Sequence, residues 1–165
     1  MTRRRLFLTA LLMALSTAVP AVASAQKLVF VVRHAERADA GMAAETDPPL
    51  SAAGAARAAK LAQMLKDAGV KDIFVTEFKR TQDTAKPLAS TLGVTMDQVS
   101  SKETDALVAQ IKGHPNDVVL VVGHSNTLPA ILKAFGGPDI TIADAEYDNL
   151  FVIVPATGVV TRIRF

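Results

Sequence analysis

Two continuous apolar runs, each ending on a histidine, constrain this chain more than anything else in it. Leu28-Val29-Phe30-Val31-Val32 leads into Arg33 and His34, and Val118-Val119-Leu120-Val121-Val122 leads through Gly123 into His124. Neither run alternates with polar residues, so both read as strands buried on both faces, as in a parallel sheet covered by helices. Equivalent strands that end on a histidine bring both imidazoles to the same carboxyl-end rim of one sheet. That rim is where open α/β sheets bind their ligands.

The segments between and beyond these runs fit the same architecture. Ser51 reads as the cap of a helix over 52–68 that carries Ala55, Ala58, Leu61, Ala62 and Leu65 on one stripe and closes at Gly69. A short strand over 72–76, a helix over 81–92 ended by Gly93, a brief strand over 94–96 and an amphipathic helix over 103–112 follow. After the second apolar run, Ser125 or Asn126 caps a helix that runs to Phe135 and stops at Gly136-Gly137-Pro138. Residues 150–155 and 159–165, around Thr157-Gly158, read as an antiparallel hairpin on the sheet edge. The expected fold class is α/β: a three-layer α/β/α sandwich with a mostly parallel central sheet and a C-terminal antiparallel edge hairpin.

Residues 1–25 are a different kind of sequence. Arg3, Arg4 and Arg5 precede an apolar stretch over 6–19, and Ala23-Ser24-Ala25 has the small-residue pattern of a cleavage site. This predicts a signal peptide removed after Ala25, with one domain over 26–165 exported to the periplasm or beyond. Ser16, Thr17 and Pro20 interrupt the stretch, which is too short for a membrane span. Arg4-Arg5-Leu6-Phe7-Leu8 also resembles the core of a twin-arginine signal. The three arginines belong to the 18 basic residues and the segment has no acid, so 15 basic residues face 16 acidic ones after cleavage. Such a balance gives no electrostatic support for nucleic-acid or membrane-surface partners. Cysteine is absent, which rules out thiolate nucleophiles and disulfides.

Three segments leave strands and reach the histidine rim: 33–37, 76–80 and 123–126. Together they offer His34, His124, Arg33, Arg37 and Arg80. Guanidinium forks match phosphate oxygens bidentately, and cations beside an imidazole favour its neutral, nucleophilic form. The set therefore predicts a small phosphorylated substrate. It argues against a metal, because three arginines at a cation site repel the ion; no cofactor is expected. His114, in a Gly-Pro-Asn turn, reads as solvated surface.

The stretch Arg33-His34-Ala35-Glu36-Arg37 resembles the RHG signature of the histidine phosphatase superfamily, which includes phosphoglycerate mutases, acid phosphatases and small phosphohistidine phosphatases. Residues 49–56 resemble its loop-to-helix entry, residues 76–85 its second arginine segment, and residues 122–127 its second histidine segment. Together with the export reading of residues 1–25, the resemblance implies a metal-independent phosphatase acting through a phosphohistidine. His34 is then the nucleophile, Arg33 and Arg80 hold the phosphoryl group, and His124, as imidazolium, completes the pocket. Arg37 falls where the acid-phosphatase and phytase branch carries an extra arginine, which makes it a fourth phosphate ligand. Ala35 replaces the signature glycine. Ser125-Asn126 follows His124 where the acid-phosphatase branch has an aspartate proton donor, so the leaving-group acid is assigned instead to Glu103, as in mutase-branch enzymes. Asp105, Asp39 and Glu45 come behind it. The competing readings are a phosphoglycerate mutase-like phosphotransferase and a non-catalytic phosphate-binding module.

Overall fold

The two apolar runs pair with each other. In the computed structural model, which describes residues 28–38, 47–113 and 117–165, the elements in chain order are β1 (Leu28–Arg33), α1 (Ala52–Leu65), β2 (Val70–Val75), α2 (Lys79–Leu92), β3 (Met96–Gln98), α3 (Thr104–Lys112), β4 (Val118–Gly123), α4 (Leu128–Ala134), β5 (Asn149–Val154) and β6 (Val159–Arg164). The described strands form a six-stranded sheet in the order β3-β2-β4-β1-β5-β6. β1 lies parallel to β4 with Leu28 opposite Val118 and Arg33 opposite Gly123. β4 is parallel to β2 and β2 to β3, whereas β5 runs antiparallel to β1 and β6 to β5. The C-terminal hairpin is present as expected, with a difference in place. β5 joins the sheet interior beside β1, and β6 alone is the edge.

Both faces are covered, which is why neither run alternates. Val29 and Val31 pack with Leu107 and Ile111 of α3 and with Ile131 and Leu132 of α4. Phe30 and Val32, on the opposite face, pack with Leu61 and Leu65 of α1 and Leu88 of α2. Each such aliphatic side chain contributes about 1.5–3 kcal/mol by leaving water. The result is the expected α/β/α sandwich. Residues 1–25, expected to be a signal segment, and Asp39, Glu45 and His114 lie outside the described residues.

Several element boundaries differ from the sequence reading, among them those of α2, α4 and β3, and the first two have a visible cause. α2 begins at Lys79, two residues early, with Phe78 at the cap and no side-chain cap of its own. Asp47 supplies the missing acceptor from a distant loop, taking the Lys79 N–H on Oδ2 at 2.8 Å. α4 begins at Leu128, three residues late. The Thr127 hydroxyl accepts the His124 N–H at 3.0 Å and so holds 124–127 as a turn. β3 is displaced toward Gln98 and is mostly exposed, with little apolar pattern to fix it.

α1 anchors the chain that carries the first histidine. Ser51 caps it as expected, accepting the Gly54 N–H at 3.1 Å, while the Ser51 N–H donates to the Glu36 carbonyl at 2.9 Å. One turn on, Arg57 grips the Glu36 carboxylate through Nε and Nη2 at 2.7–3.0 Å. Gly54 is buried, and a Cβ there would run into the Glu36 carbonyl oxygen. Gly→Ala inside a helix ordinarily stabilises by about 0.5–1 kcal/mol. Here Gly54→Ala is expected to destabilise by about 1–3 kcal/mol, the usual cost of forced overpacking. The urea unfolding midpoint checks this: a rise would mean that the 34–37 segment does not rest on α1.

Candidate active site

The register of β1 against β4 sets the two histidines side by side. The ladder continues one step past the strands, with the His34 N–H donating to the Gly123 carbonyl at 2.8 Å. The imidazoles are buried, with centroids 5.3 Å apart and planes at 62°. His34 Nδ1 lies 2.8 Å from the Ala35 carbonyl oxygen. A carbonyl can only accept, so Nδ1 carries the proton and Nε2 keeps its lone pair. Ala35 is itself fully buried, and its N–H donates to Thr84 Oγ1 at 2.9 Å. The Thr84 hydroxyl donates in turn to the Arg80 carbonyl at 2.6 Å. The His34 turn is thereby tied to α2.

Burial keeps both rings neutral. Desolvation, followed by the nearby charges, pushes His34 down to about 3, and burial together with Arg80 brings His124 down to about 4. At neutral pH His34 thus holds a free lone pair, as a nucleophile requires. In the unliganded pocket desolvation, with Arg80, outweighs Glu77 and Asp47, the two carboxylates that favour the charged form of His124.

The three arginines reach one pocket of about 310 Å3, whose lining also includes His34, His124, Ser125 and Asn126. They are held differently. Arg80 stacks over Phe78 at 4.0 Å and meets Asp47 at 3.4 Å. Phe78 stands edge-on to His124 at 5.4 Å, so the aromatic ring spaces guanidinium from imidazole. Arg37 is exposed, in the isolated bridge that its backbone makes with Leu50. Arg33 is buried and already part-committed, with Nη1 donating to the carbonyls of Ala143, Asp144 and Glu146 at 3.0, 2.9 and 3.3 Å. Its Nε is buried with no partner among the described residues.

Glu103 is not brought to this pocket. It is the exposed cap residue of α3, and Asp105 in the first turn is exposed as well. The reason is topological: the segment follows β3, an edge strand separated from β1 by β2 and β4. The pocket wall comes instead from the connection between α4 and β5, through Asp144 and Tyr147. Tyr147 lies 4.0 Å from the Arg33 guanidinium and 6.0 Å from the His34 ring. Glu146 pins this wall by accepting the Ala143 N–H at 3.0 Å and pairing with Arg162 and Arg164 of β6 at 2.8 and 2.9 Å. Sequence reasoning missed the wall. Tyr147, as the single tyrosine of the chain in a long connection, was an available signal. Nothing marks Asp144 among the neighbouring acids.

Residues 29–101, which hold His34, Arg33, Arg37 and Arg80, match the family model for branch 1 of the histidine phosphatases. Over this stretch the chain is similar to the histidine phosphatase superfamily. A relative assigned as phosphoglycerate mutase GpmB of Yersinia enterocolitica is 36% identical over 69 residues, 40% of this chain and 32% of that one. The match therefore spans about a third of that relative's length. Among solved structures, one assigned as the phosphohistidine phosphatase SixA of Agrobacterium tumefaciens has a TM-score of 0.64 at 22% identity, covering 84% of this chain and 97% of that one. Another, assigned as an α-ribazole-5′-phosphate phosphatase of Escherichia coli, has a TM-score of 0.66 at 15% identity, covering 85% and 96%. At these identities the likeness is one of fold.

The lowered histidines give folding a pH dependence of definite sign. Unfolded imidazoles titrate near 6.5, whereas in the folded chain His34 and His124 titrate near 3 and 4. Between those values the unfolded chain binds more protons, so stability falls as pH drops below about 6.5. Urea midpoints at pH 7 and pH 5 are expected to show this loss, and His34→Asn is expected to lose less. Equal losses in the two proteins would mean that His34 titrates normally.

Proposed function

We propose that this chain is a phosphatase that hydrolyses a small phosphorylated substrate, a phosphomonoester or a phosphoramidate, through a phosphohistidine on His34. The observation that carries this reading is the unprotonated His34 Nε2 in a pocket that also presents Arg33, Arg37 and Arg80. Arg37, Arg80 and the unpartnered Nε of Arg33 offset the phosphoryl charge. Nε2 attacks phosphorus, the leaving group departs, and water then releases phosphate from the ring. His124 stabilises the transferring group from the side. No acid role falls to Glu103, which stays outside the pocket. The reading is metal-independent and needs no cofactor, because three guanidiniums supply the positive charge at the phosphoryl group. The phosphatase names of the solved structures of like fold support hydrolysis over transfer to a second substrate, while the name of the Yersinia relative keeps a mutase reading in view. An acceptor-exchange assay separates the two.

Acid-quenched protein exposed to labelled substrate is expected to carry acid-labile, base-stable phosphate on the peptide containing His34, and His34→Ala to lose both label and turnover. His124→Ala is expected to slow turnover by about 10²–10³, the scale for one positioned electrostatic group. Arg37→Ala is expected to weaken vanadate inhibition by about 10- to 150-fold, equivalent to a charge-assisted bond of about 1.5–3 kcal/mol. Label on His124, or full turnover by His34→Ala, would overturn the mechanism.

We also propose that residues 1–25 are an export signal, and that the single domain over 26–165 works in the periplasm or outside the cell. In support, Arg3, Arg4 and Arg5 precede an apolar stretch over 6–19, and Ala23-Ser24-Ala25 has a small-residue cleavage pattern. Fractionation of cells expressing the Arg4→Lys, Arg5→Lys double variant tests the route. Retention in the cytoplasm is expected for twin-arginine export, and unchanged export would reject that route.

A further inference from the structure

The two threonines behind His124 admit one arrangement of protons. Thr81, fully buried in the first turn of α2, has its hydroxyl oxygen 2.8 Å from the Phe78 carbonyl oxygen and 3.2 Å from that of Thr76. Carbonyls only accept, and two oxygens at 2.8 Å repel without a proton between them, so the single Thr81 proton lies toward these carbonyls. To its other neighbours Thr81 Oγ1 is an acceptor. It takes the Thr76 N–H at 3.1 Å and the Thr76 hydroxyl at 3.0 Å. Thr76 has then used its one proton. Its Oγ1 lies 3.0 Å from His124 Nε2, and that contact is a hydrogen bond only if the ring nitrogen donates. Reversing the Thr76 hydroxyl would leave the lone pairs of Thr76 and Thr81 face to face in a dry site, a loss that buried polar groups rarely tolerate.

We infer that Thr81 and Thr76 are positioning residues that hold His124 in its Nε2–H tautomer, so that Nδ1 meets the phosphoryl group as a proton acceptor. The second half of this inference rests on the phosphatase reading; the tautomer itself does not. With Nε2 engaged by Thr76, Nδ1 is the ring nitrogen that remains for the pocket His124 lines. A phosphoryl group that arrives as the monoanion gives its hydroxyl proton to Nδ1. The O–H bond breaks, an N–H bond forms, and the electron pair stays on oxygen. The product is a dianion beside an imidazolium. The charged His124 that the family resemblance implies is thus created by binding and is not present at rest. The groups facing the ring are consistent with this. Arg33 and His34 at the end of β1, Arg80 of α2, Glu77 after β2 and Asp47 of the loop surround it, and burial with Arg80 and Arg33 outweighs the carboxylates.

Long-range ¹H–¹⁵N correlation of the histidine rings in ¹⁵N-labelled protein at neutral pH tests the inference without any turnover. His124 is expected to show a protonated Nε2 and an unprotonated Nδ1, with Nδ1 becoming protonated when inorganic phosphate is added. Thr81→Val frees the Thr76 hydroxyl to donate, and the ring is expected to move toward the Nδ1–H form; Thr81→Ser restores the original pattern. A protonated Nδ1 in the unmodified protein before phosphate is added overturns the inference, as does a Thr81→Val spectrum that matches it. Should Thr81→Val fail to fold, the unmodified protein's spectrum still decides. Absence of turnover with the expected tautomer in place would count against the phosphatase reading alone.

Discussion

The parallel pairing of β1 with β4 is the constraint on which the rest depends. Its register sets Arg33 opposite Gly123 and so puts His34 and His124 side by side at one rim. A slip of one residue would turn every side chain of β1 to the opposite face and exchange Val29 and Val31 with Phe30 and Val32 between the two cores. The register that satisfies the packing is therefore the register that assembles the site. Gly123 has its own part in this. A side chain there would press on Leu128 and Thr127, which form the turn that presents His124.

The pocket is built from groups that folding alone would not favour. Two imidazoles are held neutral by burial, and Arg33 keeps a buried N–H with no partner among the described residues. Leaving that N–H unsatisfied costs about 1–3 kcal/mol by the usual scale for a buried polar group. The surrounding sandwich carries it because the strands beneath are almost wholly buried. An oxyanion in the pocket would supply an acceptor for this unused donor, which is the sense in which such a site is arranged for a charge before the charge arrives.

The sequence disclosed those parts of the molecule whose signal is local. β1 and β4 were legible because five consecutive apolar residues cannot serve a half-exposed strand, and α1 was legible from Ser51 and a clean apolar stripe. α4 was misjudged because Ser125 and Asn126 look like caps, whereas Thr127 closes the turn by bonding back to His124. α2 started early because its cap is Asp47, which no local pattern connects to it. Arg33, His34, Arg37, Arg80 and His124 share the pocket because motif and strand end coincide. Glu103 lies elsewhere because the order of strands in a sheet is not written in any one segment. The wall formed by Asp144 and Tyr147 shares this obscurity, since only the pairing of β5 with β1 brings its connection back over Arg33.

The two histidines occupy matching places and are nonetheless distinguished by what stands behind each. His34 gives its Nδ1 proton to the Ala35 carbonyl and turns a bare Nε2 outward. His124 reaches the Thr76 hydroxyl through Nε2, so the opposite nitrogen is left for the pocket. A carbonyl cannot reverse its role, so the His34 tautomer is locked by the backbone itself. A hydroxyl can reverse, and it is only the Thr81 hydroxyl, directed to the Phe78 carbonyl, that stops Thr76 from doing so. The difference between the two rings is thus a difference in how rigidly their partners are committed. In the proposed mechanism the more adaptable partner stands behind the ring that does not attack phosphorus, and a ring backed by hydroxyls can gain and return a proton without disturbing the strand that carries it.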